Sequence, residues 1–166
     1  MSSVAGNAVS TSRSLWSGVL VGLGIAGFVD ETVFHQLLHW HHFYDKGTPE
    51  AGLVSDGLFH VASWVAIVAG LFLFADLRRR DDWAPDTWWG GLLLGLGGFQ
   101  LYDGIVQHKL LRLHQIRYGV DVTPYDIAWN IVAVALVVAG VVVVFRARRR
   151  RRAARRRSRS RRRRTG

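Results

Sequence analysis

The chain has 166 residues, the length of one domain, and 49% of them are hydrophobic, gathered in long blocks that place it among membrane proteins rather than water-soluble ones. Its formal charge of +10 is concentrated at one end: 14 of the 22 Lys and Arg residues lie between Arg146 and Arg164, and the remainder carries 8 basic against 12 acidic residues. Cysteine is absent and Met1 is the only methionine, which excludes disulfides, iron–sulfur clusters, thiolate zinc, blue copper and methionine-held Cu(I), so any metal must be held by imidazole and carboxylate.

In chain order, residues 1–14 form a short segment carrying Arg13, and an apolar stretch then runs from Leu15 to about Phe43. It has no Ala-x-Ala type of cleavage site and reads as a first transmembrane helix rather than a leader. Its second half is interrupted by Asp30, Glu31, His35, His39, His41 and His42. Gly57 to Phe74 is an apolar run of 18 residues, preceded by Asp56, containing His60 and closed by Arg78-Arg79-Arg80. A third helix spans Thr87 to about Gln115 and carries Asp103, His108, Arg112 and His114 in its second half. Ile127 to Phe145 is a fourth run of 19 residues, with Asp126 before it and Asn130 near its start. Such lengths match the ~20 residues that cross a ~30 Å hydrocarbon layer. Residues 146–166 have no apolar face and are expected to form a disordered, solvated arginine arm. The expected fold is an all-α membrane domain over residues 15–145 with four transmembrane helices in an antiparallel bundle.

Two halves of this domain repeat one another. At an offset of 73 residues Trp16, Gly18, Leu20, Gly22, Leu23, Gly24, Asp30, Val33, His35, Leu37, Leu38 and His41 all recur as the same residue type. At an offset of 70, Asp56 becomes Asp126, Ala69-Gly70 becomes Ala139-Gly140, and Arg78 to Arg80 become Arg148 to Arg150. The pattern predicts two duplicated helical hairpins, residues 15–80 and 88–150, in which buried ionisable groups are retained. Gly22, Gly24, Gly27, Gly95, Gly97 and Gly98 would allow close helix approach, or a cofactor ring against the helix.

Lys and Arg mark cytoplasmic segments, so Arg13, Arg78 to Arg80 and the arginine tail place both termini and the middle loop on the cytoplasmic side of the cell membrane, with the two hairpin loops facing outward. The tail would also meet anionic lipid headgroups. Phosphate neutralisation alone could draw it to nucleic acid, but no aromatic interleaving or folded reader accompanies it. All seven histidines then fall in the outer half of the domain, with His35, His60 and His108 at one level. On a regular α-helix Glu31, His35, His39 and His42 share one stripe, and Asp30 and His41 another.

Ionisable groups are expensive inside a membrane and usually face a partner, a cavity or a bundle interior. One reading makes His35, His60 and His108 ligands of copper, iron or zinc, completed by His39 or His42 and Asp56. In a variant, His35 and His108 are the two axial ligands of a haem. Asp30, Glu31, Asp103, His41, His114, Asp126, Asn130 and Arg112 would then be the supporting polar network. Against this stand a structural reading, in which the Asp/His network only sets helix packing, and a proton or cation transporter. The inner half, Leu15 to Val29 and Leu92 to Gly98, offers little beyond glycine for a conducting path. Neither an open coordination position nor a homo-oligomer interface is visible in the sequence, so enzyme and metal-storage roles both stay open.

Gly27-Phe-Val-Asp30, Val33-Phe-His35-Gln, His39-Trp-His41-His42, Asp56-Gly-Leu-Phe-His60 and Asp103-Gly-Ile-Val-Gln-His108-Lys together resemble the DUF2243 family of small prokaryotic membrane proteins. The resemblance covers roughly Leu15 to Phe145. It implies a multi-pass membrane protein and assigns no activity or catalytic residue.

Overall fold

A computed structural model describes residues 2–165, and their side chains over residues 10–154. Among the described residues all regular structure is helical. Helix α1 (Ser2–Asp30) continues into a π-helical segment, Glu31–Leu37; helix α2 is Pro49–Arg79; helix α3 (Pro85–Leu101) continues into a second π-helical segment, Tyr102–Leu111; helix α4 is Thr123–Thr165. Thr48 starts α2 by accepting the Ala51 N–H at 3.3 Å, with Pro49 in the first turn where its missing N–H is not needed. The stretches Ser10–Leu37, Pro49–Arg79 and Thr123–Ala154 are long and apolar enough to cross a membrane.

Where the sequence predicts a disordered arm from residue 146, α4 continues as helix through Thr165. Arg and Ala are good helix formers, and the first part of the extension has anchors: Arg149 lies over the Phe145 ring at 4.5 Å, Arg150 is 3.6 Å from Asp86, and Arg151 donates to Thr11 at 2.7 Å. Arg13, expected in a free leading segment, lies within α1 and pairs with Asp76 at 2.6 Å.

Helices α1 and α3 form the central pair, α2 packs on α1 and α4 packs on α3, while α2 and α4 do not approach one another. Glycine sets the distances. A Cβ at Gly18 or Gly22 would run into the carbonyl oxygens of Trp88 and Leu92, and one at Gly91 or Gly95 into those of Leu15 and Val19. Gly24 lies on α2 at Ser63 and Ile67, as Gly97 lies on α4 at Ala133 and Val137. Close backbone contact of this kind is how membrane helices associate when apolar side chains gain nothing by leaving lipid. Gly98 belongs to no such contact: nothing lies within 4 Å of a Cβ built there.

The outward faces of α2 and α4 are apolar and uncovered, with Leu58, Phe72, Ile131 and Val138 among the exposed residues. In water such faces would be a liability; against lipid they are the ordinary surface. The buried ionisable residues gather at the C-terminal ends of α1 and α3, in the π segments and under the two loops that follow them. Those loops are tied together by the Asp45 N–H on the Leu113 carbonyl at 3.1 Å and the Lys46 ammonium on the Leu111 carbonyl at 2.7 Å.

Candidate metal centre

The π segments decide which side chains meet. Leu38 N–H donates to the carbonyl of Val33, five residues back, and Trp40 N–H to that of Phe34, six residues back, as Leu113 N–H does to that of Gln107. Each wider turn advances the chain through a smaller angle per residue than an α-helix, and the helix has ended by Leu38. The expected stripe of Glu31, His35, His39 and His42 therefore does not form. Glu31 and His35 stay together, His39 turns outward with a left-handed backbone (φ 51°), and His41 swings inward on the loop.

Four imidazoles collect there: His35, His41, His108 and His114, each at most 7% exposed. The rings of His41 and His114 stack with centroids 4.5 Å apart and planes 4° from parallel. His35 meets His41 edge-on at 4.5 Å, and His108 meets His114 edge-on at 4.7 Å. Two hydrogen bonds cross between the loops: His41 Nδ1 donates to the Ile116 carbonyl at 3.0 Å, and His114 Nδ1 donates to the Phe43 carbonyl at 2.9 Å. A carbonyl oxygen can only accept, so each of these rings carries its proton on Nδ1 and leaves Nε2 as a lone pair when neutral. Both Nε2 atoms are buried without a hydrogen-bond partner, as are the Nε2 atoms of His35 and His108. Burial, followed by the neighbouring imidazoles of His114, His35 and His108, pushes His41 down from the ordinary histidine value, so it stays neutral.

Carboxylates line the cluster. Asp103 lies 3.2 Å from His108 Nε2 and 3.4 Å from His114 Nε2, and its Oδ1 accepts from Gln107 at 3.2 Å. Asp30 lies 3.7 Å from His35 Nε2. On its other side His35 Nδ1 faces Asp56 at 2.9 Å and Glu31 at 3.0 Å, and Gln36 donates to Glu31 at 2.7 Å. Asp56 is saturated, because it also accepts from His42 Nδ1 at 2.6 Å and from the Phe43 N–H at 2.7 Å. Ligand atoms of His41, His108 and His114 lie within 4.8 Å of one another, and so do those of Glu31, His35 and Asp56. In the first group the Nε2 atoms have no hydrogen-bond partner, while the second is joined by the His35–Asp56 hydrogen bond, with Glu31 Oε2 left without one.

Other residues expected at the site lie elsewhere. His60 sits half-buried on α2, where it accepts from Trp64 Nε1 at 3.2 Å and packs on Phe28, apart from both groups. His39 is exposed and His42 serves Asp56. Asp126 pairs with Lys109 and keeps 3.9 Å from His108 Nδ1; Asn130 donates to the Asp126 carbonyl at 2.8 Å. Arg112 is exposed. Sequence reasoning ranked His41 and His114 as supporting residues and passed over Gln107, which is 1% exposed. The recurrence of His41 as His114 at the offset of 73 was the available signal for the first two.

A family model described as predicted membrane protein (DUF2243) matches residues 17–147, more than three-quarters of the chain, and the chain belongs to that family. No curated protein and no solved structure matches it.

Proposed function

We propose that the protein holds a transition metal ion in the outer half of the bundle, bound through Nε2 of His41, His108 and His114. The observation that carries this reading is the set of buried, unpaired Nε2 atoms in these three rings, two of which have their Nδ1 protons committed to backbone carbonyls. Ligating histidines characteristically donate their other ring nitrogen to a carbonyl or carboxylate, which fixes the tautomer and aims the lone pair. Asp103 is placed to add a carboxylate oxygen, and His35 to add a fourth imidazole. Imidazole and carboxylate without thiol suit copper(II), iron or zinc. Ring centroids between 4.5 and 6.2 Å apart leave space for an ion but none for a porphyrin plane inside the cluster, which favours an ion over haem.

The same reading makes the chain a duplicated hairpin with four spans. The crossed hydrogen bonds, the Gly22 and Gly95 contacts and the two π segments each have a counterpart 73 or so residues along, which supports duplication. Helix α3 and its π segment, residues 85–111, supply the length of a fourth span. Arginine at Arg78 to Arg80 and in α4 then puts both termini on the cytoplasmic side of the cell membrane, with the tail near anionic headgroups at ~1 kcal/mol per basic residue. The metal would lie near the outer surface, where a redox step or metal handling can reach the aqueous phase.

Elemental analysis of protein purified in detergent, without chelator or histidine tag, tests this. The expected result is about one copper, iron or zinc per chain, lost in His114→Ala and His41→Ala and kept in His60→Ala. A chain that holds no metal and takes up none when it is added would return the cluster to a polar network that only sets helix packing.

A further inference from the structure

Two clefts on the loop face reach the buried histidines. A smaller one of about 230 Å³ runs past His39, His42 and Asp45 to His41. The larger, about 520 Å³, has His108 in its wall together with Lys109, Arg112, Gln115, Arg117 and Tyr118. The cleft is open to the surface, and His108, 1% exposed, meets it only at its floor.

The three cations of the larger cleft are not equivalent. Lys109 is paired with Asp126. Arg117 lies over the Trp40 ring at 4.8 Å and donates to the Tyr125 hydroxyl at 2.7 Å. Arg112 has no ion pair, hydrogen bond or ring contact from its side chain among the described residues. Its backbone is left-handed (φ 51°), a conformation costly for a side chain of this size and found where the surroundings impose it. The matching residue at the offset of 73 is His39, also at φ 51°, which lines the other cleft. In both loops one residue with a left-handed backbone lines a cleft that also has a histidine of the cluster in its wall, and in the second loop that residue is an uncommitted guanidinium.

We propose that the larger cleft binds a small oxyanion, a carboxylate or phosphate-type group from the aqueous phase, through Arg112. A guanidinium presents a planar fork that matches such groups with two parallel hydrogen bonds. Lys109 and Arg117 keep the cleft positive although each already has a partner. His108 lies at the floor of the cleft, so an anion held by Arg112 would sit beside the centre as its ligand or substrate; that second half rests on the metal reading above, whereas the binding itself rests on the cleft alone.

Calorimetric titration of the metal-free protein in a neutral detergent, with inorganic phosphate and with acetate as probes, tests the binding. Saturable binding of at least one probe is expected, weakened at least tenfold in Arg112→Gln and partly restored in Arg112→Lys. Because Arg112 is exposed, these variants should fold, and unchanged melting temperatures would verify it. Equal affinity in wild type and Arg112→Gln, or no saturable binding of either probe, overturns the proposal. Binding seen only with vesicles containing phosphatidylglycerol, and not with the free anions, would assign the cleft to a lipid headgroup and overturn it as well. The second half is read on protein loaded with cobalt(II) as a spectroscopic probe: the anion should shift the visible bands in wild type but not in Arg112→Gln. A protein that binds the anion through Arg112 but takes up no metal would keep the cleft and remove the metal centre. A metal-loaded protein indifferent to anions would do the reverse.

Discussion

Replacing Asp56 by Ala should be among the most damaging single changes at the loop end of the bundle, and Asp126, the matching residue at the offset of 70, shows why. Asp56 is 1% exposed and accepts from Phe43 N–H, His42 Nδ1 and His35 Nδ1. Removing it strands the Phe43 N–H, at about 1–3 kcal/mol for a buried unpaired donor. His42, with its side chain 32% exposed, can recover water, and His35 keeps Glu31 at 3.0 Å, so these two add about 1 kcal/mol together. The sum is about 2–4 kcal/mol. Asp126 pairs mainly with Lys109, whose side chain is 42% exposed, and Asp126→Ala should cost about 1 kcal/mol or less. For a chain of this size 1 kcal/mol moves the melting temperature by about 2–4 °C. Thermal unfolding in detergent should therefore separate the two variants by several degrees, with Asp56→Ala the lower. Asp56 also holds Phe43, whose carbonyl accepts from His114 Nδ1, so Asp56→Ala should reduce metal occupancy without being a ligand substitution. Equal shifts for the two variants would refute the reasoning, because the donors around Asp56 would then be no more dependent on it than Lys109 is on Asp126.

Gly22→Ala and Gly95→Ala should each lower stability by about 1–3 kcal/mol through overpacking of the α1–α3 contact, whereas Gly98→Ala, which meets nothing, should be neutral or gain up to about 1 kcal/mol; denaturation of the three variants in one detergent compares them. The chain lacks cysteine, so single-cysteine variants report topology cleanly: a membrane-impermeant maleimide should label Lys46→Cys and Asp121→Cys in intact cells and Arg80→Cys only after permeabilisation, and Asp121 on the side of Arg80 would rule out a fourth span. His41 is pushed below the ordinary histidine value of 6.5 in the folded chain but not in the unfolded one, so its contribution to stability is intact above that pH and falls as the pH drops below it, by about 1.4 kcal/mol per pH unit while the folded ring stays neutral. Unfolding of the metal-free protein followed from pH 7.5 to 5 should show this loss, and His41→Phe should reduce it, the buried His108 retaining a part.

Helical content, the apolar spans and the gathering of polar groups at one end were legible because each rests on a property of single residues or of a regular period. Glycines at Gly22 and Gly95 announced a close approach for the same reason: their lack of a side chain matters whichever helix they meet. The inner members of the cluster were less legible. Projecting Glu31, His35, His39 and His42 on one face assumes 100° per residue, and the π turn after Asp30 removes that assumption just where the polar residues begin. Nothing in the composition of residues 31–37 marks a π turn, since the preference depends on which loop folds back over it. His60 lies apart from the cluster for a different reason. Depth along the membrane can be counted from the sequence, but the face of α2 that carries His60 is decided by the Gly24 and Gly27 contacts, and those put Asp56 inward and His60 against Phe28.

What the two halves share and where they differ divide the loop end of the bundle into two kinds of chemistry. Asp30, His35 and His41 recur as Asp103, His108 and His114, and these six form the buried centre. The surrounding residues do not recur: Glu31 becomes Gly104, Gln36 becomes Lys109, His39 becomes Arg112 and His42 becomes Gln115. On the first side, carboxylates close around His35 Nδ1 and leave it no vacancy. On the second side, no carboxylate replaces Glu31, His108 Nδ1 has no hydrogen-bond partner, and the wall beside it is cationic. A symmetric core would bind an ion equally from either side. The absence of that acid and the presence of Lys109 and Arg112 on one side only suit that side to the approach of the proposed anion, while the other side serves as the rigid support. Grafting the first side's pattern onto the second, with Gly104→Glu and Arg112→His together, should therefore remove anion binding. Such a variant that still bound phosphate with unchanged affinity would show that this asymmetry is incidental to access.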